Sequence, residues 1–278
     1  MITYDPKNWI RILLDFPRSP VFRTLFFDVV GAGVYAALVV WAENAMRLSV
    51  PLGPSFLSIL GIILGLLLVF RTNTAYDRWW EGRRLWGQLV NVSRGLSHSL
   101  DAMLATDAPA RATYAELLAA FPATLAQHLR AARNVEAPHR PNALLRGLFA
   151  QVHDDVRQGA LPREAIVALT PMLATFDDVC GACERIRNTP IPFSYSSYIK
   201  QFVVLYALVM PFGLARGVRL RDGDRVDVHT FFATMGLELL ATEIEEPFGG
   251  DRNDLPLDDL ADRIARDTRA LLLTPRNA

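Results

Sequence analysis

Between Pro54 and Trp86 the chain reads PSFLSILGIILGLLLVFRTNTAYDRWWEGRRLW, and its character changes once, abruptly, at Arg71. From Phe56 to Phe70 there is no charged residue, and from Arg71 onward arginine, asparagine and tryptophan follow without a proline. The pattern predicts one continuous helix that leaves a membrane and carries on into water. Pro54 suits the first turn of such a helix, where a missing backbone N–H costs nothing. The apolar part is about 15 to 17 residues, at the short edge of what crosses a bilayer. A helix this short is expected to be shielded by neighbours, as a pore wall is.

Two faces of the predicted helix differ. Gly61 and Gly65 stand four apart, the spacing at which small residues let another backbone approach a membrane helix closely. Ile62, Leu66 and Phe70 repeat one position further on and form a single ridge of bulky apolar side chains. Spacing alone leaves two readings of that ridge open: a face turned to lipid or to a neighbouring helix, or a hydrophobic constriction.

The distribution of apolar residues sets the class. Of 278 residues 51% are apolar and 21% charged, and the apolar stretches concentrate at roughly 22–70 and 202–246, around an arginine-rich block. Four membrane helices are predicted, at about 25–45, 55–71, 202–218 and 226–244, with a helical cytosolic part at about 72–198 and 247–278. The formal net charge is zero, so nothing points to nucleic acid as a partner. The amino terminus holds an early acid and no small-residue cleavage site, unlike a signal peptide. Lys7, Arg11, Arg18 and Arg23 precede the first apolar block, which places both termini and the middle block in the cytoplasm of a cell inner membrane. The loop with Arg216, Arg219, Arg221 and Arg225 must then lie outside, against the general charge rule.

The middle block reads as helices with one wet face. Tyr114, Leu117, Leu118, Phe121, Leu125 and Leu129 repeat at helical spacing; Leu144, Leu145, Leu148, Phe149, Val152 and Val156 do so again, and Ile166, Leu169, Leu173, Phe176, Val179, Cys183 and Ile186 a third time. Breaks fall at Ala137–Pro141 and Gln158–Pro162, and Pro190 and Pro192 end the third helix. Leu257, Leu260, Ile264 and Leu271 mark one more amphipathic helix. No strand pattern occurs, so the chain is expected to be all-α. Cys180 and Cys183, the only cysteines, are expected as two reduced thiols, since a lone C-x-x-C without a second pair is a poor zinc signal. Tyr195 and Tyr198 suit an interfacial aromatic belt. Glu238 is an acid inside the fourth apolar segment. It is read either as a functional intramembrane group or as part of the cytoplasmic exit with Glu243, Glu245 and Glu246.

The string Arg71, Asn73, Ala75, Tyr76, Arg78, Trp79, Trp80, Glu81, Gly82, Arg83, Trp86, Gly87, directly after an apolar helix, resembles the signature of the bacterial bestrophin family. Two later stretches agree, CGACERIRNTPIPF from Cys180 and EIEEPFGGDRNDLPLDDL from Glu243, so the resemblance spans nearly the whole chain. It implies a single bestrophin-type channel domain in a homopentameric ion channel whose second membrane helices line the pore. The family's apolar neck would fall on Ile62, Leu66 and Phe70. The family is known mainly for chloride and other anions, though some bacterial members pass cations, and the implied partners are copies of the chain, the lipid bilayer and permeant inorganic ions. Animal members clasp calcium just after the fourth helix; Asp251 and Asp254 fall on two of those positions as a remnant, while Gly250 replaces a third acid. Two carboxylates fall short of the six to eight oxygens calcium takes. Ile63 stands where animal members carry a proline.

No glycine-rich phosphate loop, H-E-x-x-H motif or nucleophile elbow occurs. His98, His128, His139, His153 and His229 are scattered without ligand spacing, and adjacent acids such as Asp154 and Asp155 are expected to be solvated. No enzyme activity, metal or cofactor is expected. A membrane-tethered helical scaffold that binds a cytosolic partner without conduction is the alternative.

Overall fold

The computed structural model describes residues 20–46, 54–106, 108–131, 138–214 and 220–274. Its regular elements are all helices: α1 (Pro20–Met46), α2 (Pro54–Met103), α3 (Ala110–Arg130), α4 (Arg140–Gln158), α5 (Glu164–Asn188), α6 (Phe193–Leu214), α7 (Leu220–Ile244) and α8 (Leu257–Leu273). The expected all-α class is observed. The helix predicted from Pro54 starts there and runs 50 residues, through the change at Arg71, as one element.

The chain divides into two compact units, each assembled from separate stretches of sequence. The first takes in Arg78–Thr189 and Glu246–Ala278. Its core is a conventional water-soluble one. Trp86, Leu89, Leu96 and Leu100 of α2 pack with Tyr114, Phe121 and Leu125 of α3, Leu145 and Leu148 of α4, Leu173 and Phe176 of α5, and Ile264 of α8. The rings of Phe121 and Phe176 meet edge to face, with centroids 5.2 Å apart. The three predicted amphipathic stretches are α3, α4 and α5, and in each the buried positions are those the 3.6-residue period selects. α4 ends on Gly159, whose φ of 78° lets its amide turn back to the carbonyls of Asp155 and Val156.

Asp155 departs from expectation. It is 4% exposed, and its carboxylate accepts the hydroxyl of Tyr114 at 2.7 Å and the amide of Gln151 at 3.0 Å. Burial, with this carboxylate as neighbour, pushes the Tyr114 phenol well above its usual range. Adjacent acids point in different directions on a helix, so Asp154 reaches Arg157 at the surface while Asp155 turns inward.

Arginines close three helix ends in this unit. The last carbonyls of a helix lack intrahelical donors, and a guanidinium can serve two at once. Arg78 donates to the carbonyls of Ile186 and Thr189 at the end of α5, both at 2.6 Å. Arg187 does the same for His128 and Ala131 after α3. Arg111 donates to Leu272 in α8 at 2.8 Å and to Asp101.

The second unit takes in Ile2–Asp77 and Pro190–Glu245. Here α1 packs on α6 and α7, and Tyr35 donates to the carbonyl of Leu208 at 3.0 Å. Its interior is small: Leu64, Leu68, Ile199 and Val203, with Tyr206 and Met235 against them. Its surface is apolar. Phe27, Val34, Leu38, Trp41, Ile59, Ile62, Leu66, Val204 and Leu208 are all exposed, far more bulky apolar area than a monomer leaves in water.

By length and composition, three described helices could cross a membrane: 21–46, 55–103 and 164–188. The first two are the expected spans. α5 is the third, but Leu169, Leu173, Phe176 and Val179 on its apolar face are buried inside the first unit, so that face is already covered by protein. α6 and α7, also expected to cross, are described only in part, since the side chains at 213–229 lie outside the described residues. α6 starts nine residues before the predicted 202. Arg216 and Arg219 of the basic loop lie outside the described residues, as do Lys7, Arg11 and Arg18.

Candidate functional site

The apolar half of α2 carries a buried stripe and an open one. Leu57, Leu64, Leu68, Arg71 and Ala75 are each 9% exposed or less. Ile62, Leu66 and Phe70 are 71%, 56% and 54% exposed. At 3.6 residues per turn, Ile62 points about 200° away from Leu64, and the ridge follows that open side. The three residues named as a neck therefore lie on the face that the chain itself leaves uncovered. Ile63, a hundred degrees round, is less open at 43%.

The two glycines do not share a role. A side chain at Gly61 would meet the hydroxyl of Tyr206 at 3.0 Å, so this position admits α6. A Cβ at Gly65 would meet nothing within 4 Å beyond its own stretch of helix among the described residues. Four residues advance 40° round a helix, enough to carry the second glycine out from under Tyr206.

After Phe70 the signature residues separate into structural groups. Arg71 is 1% exposed, with its guanidinium 2.7 Å from Glu245 and 3.6 Å from Glu238. Glu245 also accepts the backbone amide of Ile191, which begins the turn into α6. Glu238, 3% exposed, faces inward beside Arg71, and Thr242 lies one turn further on. Ala75 is fully buried. Arg78 closes α5, Trp79 donates its indole N–H to the carbonyl of Asn253 at 3.0 Å, and Glu81 pairs with Arg185 at 2.6 Å. Asn73, Tyr76 and Trp80 point outward. Arg83 lies against Gly87, and Trp86 is the largest fully buried side chain. The Arg71 partners escaped sequence reasoning, although a signal existed: Glu238 and Glu245 are seven apart, two turns on one face, beside the first cation after an apolar run.

Gly82 is where the loop after α7 meets α2. A Cβ there would lie 3.0 Å from the ring of Phe248 and 3.3 Å from Leu255, both in the core. Gly82→Val is expected to destabilise the protein by roughly 1 to 3 kcal/mol through this overpacking. Gly181→Ala, where nothing lies within 4 Å, should instead gain up to about 1 kcal/mol of helix propensity. Thermal melts of the two variants against the parent check the pair, and equal midpoints would contradict the packing.

Asp251 and Asp254 sit in that same loop, beside a depression of about 410 Å³ lined also by Arg130, Gly249 and Asp258. Asp254 is 2% exposed and accepts the amide of Asp251 at 2.6 Å, with Gly249 packed so close that a Cβ would come within 2.7 Å of its carboxylate. Arg130 grips both oxygens of Asp258 at 2.8 and 2.9 Å. A guanidinium already placed among the acids and a carboxylate turned onto its own loop do not fit a cation that needs six to eight oxygens.

Cys180 and Cys183 are both buried and unbonded to each other. Burial pushes the Cys180 thiol up to about 12, with Glu184 and Asp177 adding to it, and Cys183 higher still, so both are protonated and inert. The histidines are less scattered than their spacing suggests. His128 and His139 both turn their Nε2 onto one oxygen of Glu184, at 2.7 and 2.5 Å.

Comparison with known proteins agrees with this architecture. The family model described as bacterial/fungal bestrophin protein matches residues 1–270. A voltage-dependent anion channel-forming protein of Nostoc is 32% identical over 95% of this chain and 92% of its own length. One of the same description from Synechocystis is 31% identical over 98% and 94%. The crystal structure of a bacterial bestrophin homolog from Klebsiella pneumoniae superposes with a TM-score of 0.79, at 25% identity, over 90% of this chain and 97% of that one. With the membrane-apt helices, the signature along α2 and a match over nearly its full length, the chain belongs to the bacterial and fungal bestrophin family.

Proposed function

We propose that this protein is a homopentameric ion channel of the inner membrane that conducts chloride or other anions through a pore walled by five copies of α2. The observation that carries the reading is the open ridge: Ile62, Leu66 and Phe70 are bulky, apolar and more than half exposed among the described residues. In water such a ridge is a liability, and around a common axis it is a neck. Four helices per chain cross the membrane, α1, the apolar half of α2, α6 and α7. The single channel domain keeps residues 72–198 and 247–278, with both termini, on the cytoplasmic side. Gly65, open within its own chain, suits close approach by a neighbouring copy.

An apolar neck acts by dewetting and carries no sign of its own, so the preference for anions rests on the relatives, which are named anion channel-forming proteins. The protein in mild detergent is expected to run as a pentamer in native mass spectrometry. In liposomes under a chloride gradient it should release chloride with a reversal potential near that of the anion. A stable monomer with sealed liposomes would remove the pore and favour a membrane-tethered scaffold.

A further inference from the structure

Three segments of the first unit bring nitrogen and oxygen donors to one point. His128 stands in the last turn of α3, His139 immediately before α4, and Glu184 near the end of α5. We propose that His128 Nε2, His139 Nε2 and the Glu184 carboxylate form a binding site for a divalent transition-metal ion, with zinc as the best match.

The three donor atoms lie within 4.8 Å of one another, and the imidazole centroids are 4.5 Å apart. Opening the present contacts of 2.7 and 2.5 Å by less than an ångström would place all three about 2.0 to 2.2 Å from a shared ion, the bond lengths zinc makes to histidine and carboxylate. Two imidazoles and one carboxylate select zinc-like ions over calcium and magnesium, which take oxygen. The three side chains are 25%, 33% and 26% exposed, so an ion can enter from solvent and a water can hold the fourth position. Cys180 and Cys183, also on α5, are buried and are not among the donors that meet at this point. Three protein ligands and an open position describe an exchangeable site rather than a closed structural one.

One hydrogen bond opposes the ion, and its size decides the matter. His139 Nδ1 accepts the amide of Asn142 at 3.1 Å, which keeps the ring proton on Nε2 and aims it at Glu184. Coordination of the neutral imidazole through Nε2 requires the tautomer with its proton on Nδ1, which can no longer accept from the Asn142 amide, so that bond breaks. One neutral hydrogen bond is small beside the metal–ligand bonds of a zinc site. Even a weaker three-ligand site outweighs the loss, and the exchange leaves a signature. The first turn of α4 gives up its side-chain cap when the ion binds.

The full-length channel, in detergent, with affinity tag removed and stripped by EDTA, is titrated with zinc chloride. One zinc per chain is expected after gel filtration, and Glu184→Gln or His128→Ala should each weaken binding tenfold or more while the protein elutes and melts as a folded assembly. Glu184→Gln keeps the side chain's shape, so its loss of zinc is not a loss of fold. Hydrogen exchange at the Asn142 amide should quicken on zinc addition. Failure to bind one equivalent, binding that survives both substitutions, or unchanged exchange at Asn142 would each overturn the three-ligand site.

Discussion

Replacing Ile62, Leu66 and Phe70 together by alanine should raise single-channel conductance several-fold while leaving the pentamer intact. A repeat of four residues rises about 6 Å along a helix, so the three side chains of each copy become three stacked apolar rings that repel water. Truncation widens the rings and wets them. Stability should change little, because all three side chains are more than half exposed within their own chain and give up little packing. Leu64 and Leu68, each 1% exposed on the opposite stripe of the same helix, supply the contrast. Leu64→Ala or Leu68→Ala is expected to cost roughly 2 to 5 kcal/mol each and to leave conductance flat. Ile63→Ala, one position round, should leave flux nearly unchanged. Planar bilayer recordings decide: a triple variant no more conductive than the parent, with the pentamer still present by native mass spectrometry, places the constriction elsewhere.

What was legible in the sequence was whatever depends on local period. The 3.6-residue repeat selected the buried faces of α3, α4 and α5, and the absence of proline after Phe70 kept α2 whole for 50 residues. Period gives a face but not its partner. Arg71 finds Glu245 across 174 positions, and Tyr114 finds Asp155 across 41, and neither pairing leaves a trace in spacing. His128 and His139 are eleven positions apart and match no ligand motif, because their meeting point is set by where α3 stops and α4 starts. The two glycines share a side of α2 by spacing, yet within the described residues only Gly61 has a neighbour there, the Tyr206 ring. The outward ridge is the case where both kinds of information were needed. The spacing of Ile62, Leu66 and Phe70 fits any apolar helix, and only the buried stripe behind it shows which side the described residues leave open.

Arg71→Met is expected to be the most damaging single change in the apolar unit. The arginine is 1% exposed and faces two carboxylates, Glu245 at 2.7 Å and Glu238 at 3.6 Å, the second of them itself 3% exposed. Removing one partner of a buried ion pair costs about 3 to 5 kcal/mol, because the remaining charge stays in a medium that cannot solvate it. Here two acids lose the guanidinium set between them, and the amide of Ile191 is held by one of them, so the start of α6 loosens as well. Arg71→Lys should recover part of the loss: the charge returns, but a single ammonium cannot span both acids as a planar guanidinium does. The sharper test is compensation. If burial of unmatched charge is the cause, Arg71→Met combined with Glu238→Gln and Glu245→Gln should melt well above Arg71→Met alone, since a neutral set replaces a stranded pair. Melting midpoints in a single detergent, read with pentamer yield, measure both steps. A single variant as stable as the parent, or a triple variant no better than the single, would show that Arg71 holds the unit through packing and not through its charge.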